Sequence, residues 1–420
     1  MRILSITAQK PDSTGSGIYL SELVHAFAYE GHEQAVVCGA APEDCPERSL
    51  PSNVLVYAVH FETADLAFRI AGMSDDMPYP STRYCDFDSR MLEAFKAAFA
   101  RKVMEAVCAF KPDLIICHHL YIVTAVVTHL RLDCPVVGIC HGTCLRQLGK
   151  HDLDKSYICE GVRLLDHVFV LTDVQKQAVI ELIGKGDQTS LPPISVLGTG
   201  YNSTIFHVSD TPKPQKRELL YVGKIADQKG VSSLLRAVDM LPWQKDELHV
   251  NLVGGGSEEH AHIVRAAKES RFDVSMPGKM DQKDLAGSYQ RAHVFVLPSF
   301  YEGLPLVIAE ALACGCVVVC TDLPGVRDWL LGAVPDAPVI FVTPPRMKSI
   351  DVPFEEDLPR FEQELSHGIM RAFEMVDSAF STYSEIKSNC VIEDLSWNGL
   401  ASRLLNTLFA EGCLLREKHC

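Results

Sequence analysis

No stretch of the 420-residue chain approaches the roughly 18 uninterrupted apolar residues that a membrane-crossing helix requires. The N-terminus, MRILSITAQK, runs straight into a short apolar strand and lacks the long apolar core of a signal peptide. A cytoplasmic protein is expected, touching a membrane peripherally if at all. Positive charge is in deficit, with 39 Lys and Arg against 54 Asp and Glu for a net charge of −15. That balance disfavours nucleic acid and anionic membrane surfaces as partners of the whole chain, and no basic arm or RNA-binding motif offsets it. Repeated CxxC spacing is also missing. The fifteen cysteines are an odd, scattered set that fits neither a zinc site nor a secreted disulfide framework. Cys140 and Cys144 in CHGTC come closest to a metal pair, and small buried thiols are the better reading.

Low-complexity tracts and solenoid-period repeats are absent, and a composition of 47% hydrophobic and 22% charged residues belongs to a chain that folds throughout. Its length exceeds the roughly 250 residues at which single cores stop growing, so two domains are expected. Apolar runs alternate with helical-period segments, the pattern of parallel sheets covered by helices. In the first half the runs predict strands at Ile3–Thr7, Ala35–Cys38, Val54–Ala58, Leu114–Cys117, Val136–Ile139 and Val168–Leu171. Helices are predicted there at Ile18–Glu30, Arg90–Phe110 and Thr172–Ile183. After the polar, proline-bearing stretch Ser209–Arg217 a second series follows, with strands at Glu218–Val222, His249–Val253, Val294–Leu297 and Val317–Cys320. Its helices are predicted at Gly230–Met240, Glu258–Ser270, Asp281–Gln290 and Leu306–Ala313. The fold class is α/β, two Rossmann-like domains facing across a cleft, with ligands at the carboxyl ends of the strands. Residues 1–205 make the first domain, 206–394 the second, and a C-terminal helix within 395–420 returns to the first.

Several loops carry chemistry. Gly15 and Gly17 stand just before an amphipathic helix, where backbone can approach a phosphate or sugar, although Leu20 occupies the place of the third glycine in a dinucleotide fingerprint. Lys224 and Lys229 in VGKIADQKG suit the growing charge of a diphosphate leaving group. Gly254 opens a three-glycine turn in NLVGGGSEEH. His118, His119 and His141 end adjacent strands, and of these His141 is the preferred functional residue. Glu302 and Glu310 stand eight residues apart in YEGLPLVIAEALACG, around a turn in which Pro305 suits a first helical position and leaves amide groups free for an anion. Glu310 lies in an otherwise apolar helix, where a carboxylate needs a hydrogen-bonding partner such as a ribose diol.

These residues resemble the E-x7-E signature of retaining glycosyltransferases of the GT-B fold, in particular family four, whose string stands here as EGLPLVIAEALACG. GSGIYLSELVHAFAYEGHE, PDLIICHHL, HGT, LGTGYNSTIF, VGKIADQKG and SWNGLASRLLNTL resemble the family's other landmarks in their expected order. The resemblance implies transfer from a nucleoside-diphosphate sugar, uridine- or guanosine-linked, to an acceptor hydroxyl with anomeric configuration retained. It implies that Lys224, standing for the usual arginine, and Lys229 hold the diphosphate, and that Glu310 binds the ribose hydroxyls. Glu302 with the backbone of Gly303, Leu304, Pro305 and Leu306 would grip sugar and phosphate. His141 would contact the sugar, Gly15 and Gly17 would border the acceptor, and backbone around Lys279 would face the base, near Gly254. No metal and no further cofactor are implied, because lysines and a helix N-terminus would do a cation's work. A noncatalytic sugar-nucleotide-binding protein and a sugar-nucleotide epimerase are the competing expectations. The acceptor, whether glycan, lipid or small metabolite, and the oligomeric state are not written in readable motifs.

Overall fold

The structure is a computed structural model that describes residues 1–64, 66–74, 77–256, 260–302, 304–349, 352–378 and 392–414. The chain divides into two compact units, Met1–Thr199 with Trp397–Cys420, and Gly200–Ser396. Each is built on a parallel sheet.

In the first unit the strands are β1 (Arg2–Ile6), β2 (Glu33–Ala40), β3 (Leu55–His60), β4 (Leu114–His118), β5 (Val136–Ile139), β6 (His167–Val170) and β7 (Ile194–Val196). They lie in the order β3-β2-β1-β4-β5-β6-β7, every pair parallel. The sequence LIICH of β4 is buried throughout, as a strand covered on both faces must be. Helix α1 (Gly15–Tyr29) begins where Thr14 caps it by accepting from the Gly17 amide. Asp88 does the same for α2 (Ser89–Phe110), whose end is turned by Lys111 in the left-handed region at φ 52°. Between β4 and β6 lie α3 (Ile122–His129), α4 (Thr143–Lys150) and α5 (Lys155–Arg163), and α6 (Asp173–Leu182) follows β6.

The C-terminal helix Trp397–Ala410 belongs to this unit. Leu400, Leu404 and Leu408 are buried in one cluster with Ile3, Leu23 and Phe27, and the Trp397 ring meets Tyr19 edge-on at 4.8 Å. The cluster closes the face of the sheet on which α1 lies. Residues 415–420, included in the helical segment read from the sequence, lie outside the described residues.

The second sheet has the order β10-β9-β8-β11-β12-β13, again all parallel. Its strands are β8 (Arg217–Val222), β9 (Leu248–Val253), β10 (Asp273–Gly278), β11 (Val294–Leu297), β12 (Val317–Thr321) and β13 (Val339–Val342). Helices α7 (Val231–Asp239), α8 (Ala261–Glu269), α9 (Gln282–Arg291), α10 (Leu306–Ala313), α11 (Val326–Ala333) and α12 (Leu358–Ser378) complete it. Tyr201 is buried in this core with Phe206, so residues 200–205, assigned to the first domain by the sequence pattern, pack with the second unit.

Both sheets reverse strand order beside their first strand, between β1 and β4 and between β8 and β11. Ligands of open α/β sheets bind outside the carboxyl ends of strands at such points. With Leu404 fully buried, Leu404→Ala is expected to cost about 2–5 kcal/mol in chemical denaturation. A loss well under about 1 kcal/mol would contradict the docking of the C-terminal helix.

Candidate active site

In the second unit the loops after β8, β9 and β10 are laced together by backbone. Gly223 N donates to Val253 O at 3.0 Å, Ile225 N to Gly255 O at 2.8 Å, and Gly254 N to Gly278 O at 2.9 Å. At Gly254, with φ +149°, an added Cβ would fall 1.7 Å from Gly223 O, so no side chain fits. The loops enclose a cavity of 570 Å³ lined by Gly223, Lys224, the glycines 254–256, Lys279, Met280 and Leu285. That volume is within the range of small-ligand sites. The Lys224 stem lies against Gly256 and the Lys279 stem against Gly255, where a Cβ would meet them at 3.1 and 2.6 Å. Tyr221 supports the turn by donating its hydroxyl to Lys224 O at 2.7 Å.

Lys229 ends the short turn Asp227–Lys229, and Gly230 follows at φ +69°. A Cβ at Gly230 would stand 2.0 Å from Pro298 O, so glycine alone allows this turn to press against the end of β11. The approach brings Lys229 Nζ to 2.8 Å from Glu302 Oε1 and lets it donate to Tyr301 O at 3.1 Å. Lys224 and Lys229 therefore have different neighbours, one along the glycine loop and one at the turn after β11.

Glu310 does not stand unpartnered in its apolar helix. Tyr289, fully buried on α9, donates its hydroxyl to Glu310 Oε2 at 3.1 Å. Burial pushes the Glu310 carboxyl up to about 7 despite that bond. Pro305 is not the first helical residue, as its sequence position suggests, but the one before it. The amides of Leu306 and Ile308 already donate to Leu304 O and Pro305 O, so these two are not left free for an anion. Gly303 lies outside the described residues.

In the first unit the three histidines and the start of α1 form one cluster. His118 Nδ1 is 3.1 Å from His141 Nε2, with the rings stacked at 5.3 Å. His119, at φ +72°, brings Nε2 to 2.9 Å from the hydroxyl of Ser16, which stands between Gly15 and Gly17. Tyr19 meets His141 edge-on at 4.9 Å. Burial lowers His118 to about 3 and His141 well below its ordinary value, and the neighbouring imidazoles push the same way. Both rings are neutral at neutral pH, so one nitrogen of the bonded pair donates and the other accepts. Gly17 has a packing reason of its own, since a Cβ there would lie 2.6 Å from Lys10 O. Cys140 and Cys144 are buried thiols with sulfurs 3.7 Å apart.

Residues 13–202 match the family model described as Glycosyltransferase Family 4, and residues 203–334 match Glycosyl transferases group 1. The chain is a GT-B glycosyltransferase. This glycosyltransferase is 25% identical over 349 residues to the glycogen synthase of Mycobacterium tuberculosis (strain ATCC 25618 / H37Rv), covering 79% of this chain and 80% of that one. Over 114 residues it is 35% identical to the O-antigen chain mannosyltransferase B of Escherichia coli, 26% of this chain and 29% of that protein. Among solved structures, the sucrose-phosphate synthase of Thermosynechococcus elongatus aligns with a TM-score of 0.62 at 18% identity, over 98% of this chain and 99% of that one. Anabaena HepE in complex with UDP aligns with a TM-score of 0.62 at 16% identity, over 98% and 100%. These two likenesses concern the fold.

Tyr289, which bonds Glu310, and Ser16, which bonds His119, stand beside candidate residues and were not singled out by sequence reasoning. Nothing in their local sequence separates them from core and cap residues.

The Glu310 shift has a consequence for stability. A carboxyl raised from its ordinary value near 4.5 to about 7 holds its proton more tightly in the folded state. Its favourable contribution is complete below the unfolded value and is lost as pH rises through about 7. Glu310→Gln is therefore expected to gain stability relative to the parent chain between about pH 5 and pH 8, by at most roughly 3 kcal/mol. An equal difference in melting temperature at both pH values would contradict this environment for Glu310.

Proposed function

We propose that the enzyme transfers a hexose from a uridine- or guanosine-diphosphate sugar to an acceptor hydroxyl, retaining anomeric configuration. The observation that carries the reading is the Lys229–Glu302 pair at 2.8 Å, at the switch point of the second sheet. A cavity lined by Lys224 and Lys279 opens on the loops after the neighbouring strands. In this reading Lys224 and Lys229 hold the diphosphate, and Glu310, oriented by Tyr289, accepts from the ribose hydroxyls. Glu302 and the backbone at Leu304, Pro305 and Leu306, with Gly303, hold the transferred sugar and its phosphate. Lys279 and Gly254 border the base. His141, neutral and bonded to His118, makes a hydrogen bond to a sugar hydroxyl, and Gly15 and Gly17 border the acceptor.

The bond from C1 to the diphosphate oxygen breaks, and the acceptor oxygen bonds C1 from the same face. The acceptor proton passes to the departing diphosphate. Charge grows on that oxygen as the bond lengthens, and ammonium groups fixed there stabilise the transition state more than the ground state. Lysines take the place of a divalent cation in this step. In this reading Glu302 and Glu310 serve as binding groups and not as the acid and nucleophile of a glycosidase, with Glu302 paired to Lys229 and Glu310 to Tyr289. The proposed location is the cytoplasm; none of the helices among the described residues is long and apolar enough to cross a membrane.

The test is incubation with uridine- and guanosine-diphosphate hexoses, with release of the nucleoside diphosphate and the anomeric configuration of the product as readouts. Retention is expected, with Lys229→Ala lowering kcat about 100-fold and Glu310→Ala raising the donor KM about tenfold. Tight binding without turnover of any donor, conversion of a donor in the absence of acceptor, or an inverted product would each overturn the reading.

A further inference from the structure

Asp227, His260 and His262 meet on the second unit, Asp227 two residues before Lys229, His260 immediately before α8 and His262 within its first turn. Asp227 Oδ2 lies 2.8 Å from His262 Nε2 and 3.7 Å from His260 Nδ1. One ligand atom from each of the three residues falls within 4.8 Å of the others. The other carboxylate oxygen of Asp227 accepts from Ser232 Oγ at 2.5 Å, which leaves Oδ2 turned toward the two imidazoles. His260 is the residue before the first turn of α8 and His262 the second residue in it, with ring centroids 5.8 Å apart. All three side chains reach solvent, with exposures of 49% for Asp227, 19% for His260 and 59% for His262.

Two imidazole nitrogens and one carboxylate oxygen are a ligand set that zinc and its first-row neighbours take, with water completing the shell. Bonds of about 2.0–2.1 Å in a tetrahedron set ligand atoms roughly 3.3 Å apart. The two distances to Asp227 Oδ2, 2.8 and 3.7 Å, lie on either side of that spacing. An ion pair accounts for Asp227 with one histidine. The second imidazole, that of His260, also turns Nδ1 toward the same oxygen, so one ligand atom from each of three residues is gathered in one place.

We propose that Asp227, His260 and His262 bind one divalent transition-metal ion, zinc by preference. The bound ion ties the start of α8 to the turn that ends at Lys229. It sits on the loops and takes no part in the transfer step, so the proposal stands whether or not the donor assignment does. In the sequence, His260 and His262 are visible as HAH. Asp227 is 33 residues earlier and only the fold brings it alongside.

The full chain, freed of metal, is titrated with zinc chloride by calorimetry and with cobalt(II) by absorption spectroscopy, beside His262→Ala, Asp227→Asn and a His207→Ala control. Cobalt matters because the chain has free cysteines that take up zinc, and a nitrogen and oxygen site shows d–d bands without thiolate charge transfer. One equivalent is expected in the parent chain, with a raised melting temperature and no thiolate band. Affinity is expected to fall more than about tenfold in both ligand variants and to stay unchanged in the control. No equivalent bound, a thiolate signature, or ligand variants that bind as the parent does would overturn the proposal.

Discussion

Two backbone contacts that exclude any side chain underlie the chemistry of the second unit. Gly230 presses its α-carbon against Pro298 O, and Gly254 does the same against Gly223 O. Each contact holds a loop at the carboxyl edge of the sheet. The first draws the turn bearing Lys229 onto the end of β11, so that its ammonium reaches Glu302. The second pins the glycine loop above Lys224 and shapes the cavity. Any larger residue at either position would push apart groups whose value depends on a few tenths of an ångström.

The polar groups so gathered are poor investments in stability. In the partly buried Lys229–Glu302 pair the cost of desolvation offsets much of the attraction, and Glu310 is held where burial opposes its charge. In the first unit, His118 and His141 are kept neutral by burial, a state that lets an imidazole both donate and accept. Groups that cost stability and sit at sheet switch points are where a binding site is expected.

Much of this was legible in the sequence. Six strands of the first sheet and four of the second announced themselves as apolar runs, while β7, β10 and β13 were not read, and Lys224, Lys229, Glu302 and Glu310 stood out because charge followed or interrupted such runs. What was hidden depended on tertiary contact. Strand β7 has three residues, β10 carries Asp273 and Pro277 at a sheet edge, and the sequence IVTAVVTH of α3 is apolar without helical period. Tyr289 has no sequence mark that separates it from a core aromatic, and only the fold brings its hydroxyl to Glu310. The resemblance of Pro305 to a first helical residue misled by one position, because its ψ of 90° is that of a cap. The expected anion site was thereby overstated, since two of its amides are spent within the turn.

In the proposed function Lys229 and Glu302 act as one donor clamp. A double-mutant cycle on donor binding, using Lys229→Ala, Glu302→Ala and the two together in calorimetric titrations with the nucleotide sugar that gives turnover, tests it most directly. Two groups gripping one ligand while bonded to each other should be strongly coupled, with the double variant losing less than the summed single losses by about 1 kcal/mol or more. Losses that add to within about 0.3–0.5 kcal/mol would contradict the clamp.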